Sequence, residues 1–307
     1  MKVAVLAGGV GGARFVRGLV DVVDPAEVTV IGNVGDDLEV FGLHVSPDLD
    51  TLLYTLAGLG DEEQGWGREG ETWNALETAA ALGADTWFRL GDKDIGLHLV
   101  RTEALRAGDP LSAVTVRLAR ALGLECTLLP ATDDRLRTRI ETRAGDLDFQ
   151  EWFVRRGHRD EALAVRFEGA ETARPAPGVL EAVERADVTV IAPSNPFVSI
   201  APILAVQGIR DAIHGAVAIS PLIGGRAVKG PADAMFPTLA GGTSPVHVAR
   251  CYDGLIDALV FDEADADGAA EVEALGVRPV VTQTLMRDAA ASRRLAEETV
   301  GAVAALR

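Results

Sequence analysis

The chain begins MKVAVLAGGVGGARFVRGLV over residues 1–20. Residues 3–7 form a short apolar run of the length and valine content expected for a buried strand, and a glycine-rich turn follows directly. The next segment has the apolar spacing of an amphipathic helix, predicted over residues 13–23. A strand, a glycine turn and a helix in this order are typical of the first unit of a doubly wound α/β sheet.

The rest of the chain continues this alternation of valine- and isoleucine-rich runs with helical segments. The predicted strands cover residues 3–7, 28–32, 87–90, 127–129, 188–192, 216–220, 258–261 and 279–282. The predicted helices include residues 13–23, 73–82, 111–122 and 292–306. The sequence therefore predicts an α/β fold with a doubly wound, mostly parallel, Rossmann-like sheet.

Residues 130–177 interrupt this pattern. They contain short alternating segments at 139–142, 147–153 and 164–167, many arginines and a proline-rich exit at residues 174–177. Because the pattern of parallel strands resumes at Val188, we expect a small β-containing insertion or cap within a single domain of residues 1–307.

The composition excludes several classes of protein. Asp and Glu number 46 against 29 Lys and Arg, a net charge of −17 that disfavours binding to nucleic acid. Cys126 and Cys251 are far apart, without metal-ligand spacing, so neither a zinc site nor a disulfide framework is indicated. The first apolar run is too short for a signal peptide and no run is long enough to span a membrane, so we expect a cytoplasmic protein.

The turn from Gly8 to Arg14 could bind a phosphate, because glycines let the backbone approach a ligand and a helix N-terminus attracts anions. The dinucleotide pattern GxGxxG fails, since Arg14 stands at the third glycine position, and the P-loop pattern fails because the chain has no Gly-Lys pair. Phosphate or nucleotide binding and a plain tight turn both remain open.

Three pairs of carboxylates follow predicted strands or begin predicted helices, where open α/β sheets bind ligands. The pairs are Asp36 with Asp37, Asp48 with Asp50, and Asp92 with Asp94. Near a phosphate-binding turn, such pairs favour Mg²⁺, which takes oxygen ligands and bridges phosphate oxygens. Helix capping and turn formation are the alternatives for each pair alone.

The loop after the strand at residues 188–192 contains Ser194 and Asn195 between prolines. Their side chains can hydrogen-bond a base, a sugar or a phosphate, and a rigid turn is the alternative. The chain has no GxSxG motif and no Cys beside a His, so acyl transfer through a covalent nucleophile is not indicated.

Six motifs occur in an order and at spacings that resemble one family nearly from end to end. They are GGVGGARF at residues 8–15, SPDLDT at 46–51, GWG at 65–67, RLGDKD at 89–94, HLVR at 98–101 and PSNPFVSIAPI at 193–203. Together they resemble the 2-phospho-L-lactate transferase family of coenzyme F-420 biosynthesis.

The resemblance implies a Mg²⁺-dependent transferase, and a homodimer. It implies that a phosphoenolpyruvyl or 2-phospho-L-lactyl group moves from a guanosine diphosphate ester to the ribityl hydroxyl of the deazaflavin FO. GMP would leave, and the product would be coenzyme F-420-0 or its dehydro form. Donors derived from phosphoenolpyruvate, 2-phospholactate and 3-phosphoglycerate all remain open, and the bacterial-looking composition favours the first.

The residue roles combine this resemblance with the pattern of the motifs. Nucleotide binding is expected of Gly9, Gly11, Gly12, Arg14, Ser194 and Asn195. FO binding is expected of Asp50 and Arg89, with Asp48 and Lys93. Metal binding is expected of Asp36 and Asp37, with Asp48 as a further candidate, and either Asp36 or Asp50 could deprotonate the hydroxyl. Lys93 stands where the family's GDRD motif has arginine, which keeps the charge but loses bidentate geometry.

Two other functions compete with the transferase. The gluconeogenesis-factor family resembles these transferases in fold and in its glycine-rich start, and binds nucleotide sugars as a non-catalytic regulator. The intact SPDLDT and GDKD motifs favour the transferase over this regulator. An NAD-dependent oxidoreductase is disfavoured because the glycine turn departs from the dinucleotide pattern.

Overall fold

The structure is a computed structural model that describes residues 1–61, 64 and 66–304. Gly65 of the GWG motif and Leu306, the predicted end of the last helix, lie outside the described residues.

The strands of the described residues form one large sheet and three small ones. They are β1 (Val3–Ala7), β2 (Val28–Gly32), β3 (Leu38–Val40), β4 (Leu43–Val45), β5 (Thr127–Pro130), β6 (Arg137–Thr142), β7 (Gly145–Asp148), β8 (Ala164–Glu168), β9 (Val188–Ile191), β10 (Ala216–Ile219), β11 (Leu222–Ile223), β12 (Arg226–Ala227), β13 (Ala258–Asp262) and β14 (Arg278–Thr282).

The large sheet has seven strands in the order β14-β13-β10-β9-β1-β2-β5. Each neighbouring pair in it is parallel, and Val3 of β1 lies opposite both Val28 of β2 and Val188 of β9. Strand order reverses at β1, because β2 and β5 extend to one side and the later strands to the other. The prediction of a doubly wound α/β fold is confirmed.

The helices cover both faces of this sheet. They are α1 (Gly9–Leu19), α2 (Pro47–Leu56), α3 (Asn74–Ala81), α4 (Asp92–Arg106), α5 (Leu111–Ala121), α6 (Val179–Glu184), α7 (Ala201–Ala205), α8 (Ile209–Ala212), α9 (Ala232–Ala240), α10 (Pro245–Cys251), α11 (Ala269–Glu273) and α12 (Ala289–Ala304). Among the described residues, no helix is both long and apolar enough to cross a membrane.

Successive side chains of β1 enter two different cores, which explains why this strand is apolar at every position. Val3 and Val5 belong to the core that includes Phe15 of α1, whereas Ala4 and Leu6 belong to the core on the opposite face. A strand that is buried on both faces has a continuous apolar sequence, so such a run predicts a strand at the centre of the sheet.

The predicted strand at residues 87–90 is wrong, because this segment is irregular and forms no part of the sheet. Phe88 and Leu90 instead pack against Val40 and Val45 of the β3–β4 hairpin. The apolar side chains of this run are therefore buried outside the sheet. Strand β5 occupies the edge position beside β2.

The segment from 130 to 177 contains the antiparallel sheet β7-β6-β8. The predicted β segment at residues 147–153 is strand only as far as Asp148, and the chain then forms a π-helix at Glu151–Arg155. Coiling lets Phe149 and Trp152 pack with Ile140 in a small separate core.

Candidate active site

A cavity of about 630 Å³ lies at the carboxyl ends of β1 and β9. The strand order reverses between these two strands, and such a switch point is where open α/β sheets bind ligands. The loops that follow the two strands meet there, since Ser194 Oγ donates a 2.7 Å hydrogen bond to the Gly8 carbonyl. The volume is that of a site for a substrate or cofactor of ordinary size.

The cavity brings together most of the predicted site residues. It is lined by Gly9, Gly11, Arg14, Asp36, Asp48, Asp50, Arg89, Ser194 and Asn195. Gly12, Asp37 and Lys93 do not line it.

The glycine turn is shaped by contact with the loop after β9. A Cβ atom on Gly11 would lie 2.5 Å from the Pro193 carbonyl oxygen, and one on Gly12 would lie 2.6 Å from Ser194 Oγ. Glycine is therefore required at both positions for the two loops to pack. Gly9 begins α1, and its N–H donates a 2.8 Å hydrogen bond to Asp48 Oδ1.

Asp36 and Asp48 are buried carboxylates close enough to repel each other. Burial and the charge of Asp48 raise the pKa of Asp36 well above its usual value, and burial raises the pKa of Asp48 to about 6. Asp36 Oδ1 has no hydrogen-bond partner in the described part of the chain. Such a pair requires a proton or a cation to offset its charge.

One oxygen of Asp37 is bound within the protein, and its Oδ1 has no hydrogen-bond partner in the described residues. Its Oδ2 accepts a 2.8 Å hydrogen bond from Ser46 Oγ and lies 3.0 Å from His44 Nε2. Burial raises the pKa of Asp37, and the contact with His44 acts in the opposite direction. In the described residues, no group of three or more His, Cys, Asp or Glu side chains is placed to hold a metal. The carboxylates that line the cavity are Asp36, Asp48, Asp50 and Asp94.

Asp50 forms an ion pair with Arg101 of α4, a residue that the reasoning from sequence missed. Arg101 is fully buried, and its two terminal nitrogens donate to the two oxygens of Asp50, with Nη1 at 3.1 Å from Oδ2. Asp50 Oδ2 also accepts a 3.2 Å hydrogen bond from the Ser46 N–H. A signal was present, because Asp94, His98 and Arg101 share one face of α4 by their spacing of four and three residues.

Aromatic side chains form part of the cavity lining. The lining includes Trp66, Trp87, Phe88, Phe149 and Phe153. Phe149 and Phe153 come from the insertion and stack with their ring centroids 5.4 Å apart. The sequence had given no reason to connect this insertion with the site.

Arg89 and the residues of the GDKD motif take different positions. The Arg89 guanidinium lies over the ring of Trp73, 4.1 Å from its centroid. Asp92 accepts hydrogen bonds from the N–H groups of Asn74 and Ala75 at the start of α3, a helix that precedes it in the chain. Lys93 Nζ donates to the Glu69 carbonyl at 2.7 Å.

Fold and cavity together define a Rossmann-like α/β protein with a cavity at its switch point, where proteins of this fold bind ligands. The family model described as 2-phospho-L-lactate transferase CofD matches residues 3–296. The chain belongs to this family of transferases, and the prediction of the family from the sequence motifs is confirmed.

Curated relatives match nearly the whole chain. A phosphoenolpyruvate transferase of Streptomyces griseus is 47% identical over 98% of this chain and 98% of its own length. A phosphoenolpyruvate transferase of Thermobifida fusca is 47% identical over 87% of this chain and 88% of its own length. Among solved structures, a UPF0052 family protein of Bacillus halodurans superposes with a TM-score of 0.66 at 18% identity, covering 97% of this chain and 99% of that one, which supports the fold alone.

Proposed function

We propose that this protein transfers a phosphoenolpyruvyl group from its guanosine diphosphate ester to the ribityl hydroxyl of the deazaflavin FO. The hydroxyl oxygen forms a bond to the distal phosphorus, and the bond from that phosphorus to the bridging oxygen breaks. GMP leaves with the bridging oxygen, the hydroxyl proton passes to a base, and a phosphodiester remains on the deazaflavin. Membership of the family carries this proposal, and the names of the relatives favour phosphoenolpyruvate as the acid.

The glycine turn suits the diphosphate of the donor. The N-terminus of α1 faces the cavity, and the partial positive charge of a helix N-terminus favours phosphate there. Arg14 and Lys229 add two cations to the cavity lining, and repulsion from Arg14 contributes, after burial, to lowering the pKa of Lys229. A bound diphosphate would relieve that repulsion. Ser194 and Asn195 lie beside this turn, where they would contact the phosphates or the sugar.

The aromatic part of the lining suits the acceptor. A deazaflavin is a flat, largely apolar ring system, which stacks well on aromatic side chains. Asp50 and Arg89 line the same cavity, and we assign them to the bound acceptor, as the family resemblance implies.

Mg²⁺ fits Asp36 and Asp48 better than Asp36 and Asp37. Asp36 Oδ1 is without a hydrogen-bond partner in the described residues, Asp48 repels it, and both line the cavity, whereas Asp37 does not. Mg²⁺ is commonly held by one or two carboxylates together with water and substrate phosphate. When bound, it would neutralise charge on the transferring phosphoryl group and the leaving oxygen.

Asp36 is also the better proton acceptor of the two predicted candidates. Both oxygens of Asp50 are engaged by Arg101, so this carboxylate is stabilised in its ionised form and held in place. Asp36 has one oxygen without a hydrogen-bond partner in the described residues, which can take up the hydroxyl proton where it does not bind the cation.

Turnover by the purified protein tests the proposal. With FO, Mg²⁺ and the guanylylated phosphoenolpyruvate donor, we expect release of GMP and a deazaflavin whose mass has increased by the phosphoenolpyruvyl group. Competition with the 2-phospholactate and 3-phosphoglycerate donors, measured by product mass, identifies the acid. Binding of a UDP-sugar without any release of GMP would contradict the transferase and support a regulator.

A further inference from the structure

Asn33 follows β2 directly, and its side chain links three segments at the carboxyl edge of the sheet. It is fully buried and does not line the cavity. Its Nδ2 donates hydrogen bonds to Asp48 Oδ2 at 2.9 Å and to the Val198 carbonyl at 3.1 Å. Its Oδ1 accepts a 2.8 Å hydrogen bond from the Gly35 N–H. An ionised carboxylate only accepts and a backbone N–H only donates, so these partners allow the amide a single orientation.

Both oxygens of Asp48 are held by N–H groups that carry no net charge. The Gly9 N–H donates to Oδ1 at 2.8 Å, and Asn33 Nδ2 donates to Oδ2. A Cβ atom on Gly8 would overlap Asp48 Oδ2, so the backbone of the glycine turn closes off that side of the carboxylate. The two hydrogen bonds therefore fix the direction of the Asp48 carboxylate and leave its negative charge without a counter-charge.

The same amide fixes the turn that carries Asp36. Its hydrogen bond from the Gly35 N–H closes a side-chain turn immediately before this residue. The Thr138 N–H donates to the Gly35 carbonyl at 2.7 Å, and a Cβ atom on Gly35 would lie 2.6 Å from Thr138 Oγ1. Hydrogen bonding by Asn33 acts to lower the pKa of Asp36 and of Asp48, against the effect of burial. Asn33 is thus linked to both members of the carboxylate pair.

We propose that Asn33 is a positioning residue, which holds Asp36 and Asp48 in the arrangement that binds the cation. A side-chain amide suits this task because it donates to one carboxylate and accepts from the turn that carries the other, without adding charge. An aspartate here would keep the shape and the acceptor but would lose the donor and add a third negative charge. The inference rests on the proposed function, since it takes Asp36 and Asp48 to be the carboxylates that meet Mg²⁺.

Direct binding of Mg²⁺ tests this role without reference to turnover. Residues that hydrogen-bond a metal-binding carboxylate typically contribute about 10- to 100-fold in metal affinity. We therefore expect Asn33→Ala to bind Mg²⁺ about 10- to 100-fold more weakly than the wild type in calorimetric titrations of the folded, substrate-free proteins. Asn33→Ser, which is small and polar, replaces Asn33→Ala if thermal melting shows that the alanine variant is unfolded.

The kinetics of the variant separate positioning from a general loss of folded protein. Asn33→Ala should raise the Mg²⁺ concentration that gives half-maximal turnover by the factor measured in the titration, and saturating Mg²⁺ should restore most of kcat. The KM for FO should change less than about threefold, because Asp50 is held by Arg101 and not by Asn33. A variant that only contains less folded protein would show a lower kcat at an unchanged half-saturating concentration.

Thr132→Val serves as the matched control. Thr132 is also fully buried and does not line the cavity. Its Oγ1 donates to the Arg174 carbonyl at 2.6 Å and accepts from the Asp134 N–H at 2.9 Å. The substitution removes buried hydrogen bonds as Asn33→Ala does, so it should lower the melting temperature but leave the Mg²⁺ affinity within about twofold of the wild-type value.

The outcomes distinguish this inference from the proposed function. If the wild type turns over FO with Mg²⁺ but Asn33→Ala binds Mg²⁺ within about threefold of the wild type, the inference is overturned and the transferase stands. The same holds if Thr132→Val loses as much Mg²⁺ affinity as Asn33→Ala. If the wild type does not turn over FO, or turns it over equally well without Mg²⁺, the proposed Mg²⁺-dependent function is overturned, and the inference with it.

Discussion

One cavity contains three buried carboxylates, Asp36, Asp48 and Asp50. Asp50 is neutralised by a cation of the protein itself, whereas the pair of Asp36 and Asp48 is not neutralised within the described residues. Asp50 receives a guanidinium from α4, which contacts both of its oxygens. Asp36 and Asp48 form no salt bridge within the described residues, and each bears the repulsion of neighbouring carboxylates. One region is electrostatically complete in the folded chain, whereas the other requires a proton or a ligand from outside.

This difference separates residues that hold the site in place from residues that act within it. A carboxylate neutralised by the protein keeps its position and charge whether or not a ligand is present. A carboxylate pair without a cation destabilises the fold, and sites that tolerate such a cost are commonly functional. The two aspartates of SPDLDT thus contribute to two different tasks, with Asp48 in one and Asp50 in the other.

Removing Arg101 should have the largest effect on stability. Arg101→Met leaves Asp50 buried and ionised without its partner, which typically costs about 3–5 kcal/mol. We expect a loss of this size in the free energy of unfolding, measured by urea denaturation. Arg101→Lys supplies a charge without the bidentate fork and should recover part of the loss. A Met variant as stable as the wild type would show that the ion pair makes no net contribution to the fold.

Replacing Asp36 should affect activity instead of stability. Asp36→Asn removes the charge that would bind the cation and accept the proton, so turnover should fall by about 10²-fold or more, as for loss of a general base. The unfolding midpoint should be unchanged or higher, because repulsion from Asp48 is removed. Calorimetric titration with Mg²⁺ should show weaker binding. Near-normal turnover would exclude Asp36 from both roles.

The sequence revealed the fold and many parts of the site because those parts depend on local patterns. The run from Val3 to Ala7 is apolar throughout since both faces of β1 are buried, and the glycine turn must follow it to let two loops touch. Carboxylates at strand ends could be placed near the glycine turn from the topology alone.

The remaining parts depend on contacts between elements distant in the chain. The partner of Asp50 is Arg101, and identifying it requires the packing of α4 against α2. Asp36 and Asp37 are adjacent but face different surroundings, which residue type alone does not reveal. The insertion contributes Phe149 and Phe153 only because its position brings them to the cavity.

His98 should make the stability of the protein decrease at acidic pH. Burial lowers its pKa to about 4 in the folded protein, below the ordinary value of 6.5. Its contribution to stability is therefore present above pH 6.5 and is lost as the pH falls towards 4, by up to about 3 kcal/mol. His98→Asn should remove this part of the pH dependence, measured from unfolding free energies between pH 7 and pH 4.

The pair of Asp36 and Asp48 should give stability a pH dependence opposite in sign to that of His98. Asp48 has a raised pKa of about 6, so its favourable contribution is present at low pH and is lost as the pH rises through 6 in metal-free protein. Asp48→Asn should therefore remove a fall in stability between about pH 4 and pH 6, the same range in which His98→Asn removes a rise, so the two variants should change the slope of the curve in opposite directions. Identical curves for the two variants would contradict the division into two regions.

Asp37 should show the smallest effect and tests which carboxylates face the ligand. Its Oδ2 is bound by Ser46 and contacts His44, and it does not line the cavity. Asp37→Asn keeps the shape and an acceptor oxygen, so turnover and Mg²⁺ affinity should fall less than about tenfold, or about 1.4 kcal/mol. Asp48→Asn, assayed beside it, should lower Mg²⁺ affinity much more. The reverse ranking would place the cation between Asp36 and Asp37, because neutralising a carboxylate that binds Mg²⁺ lowers the Mg²⁺ affinity more than neutralising one that does not.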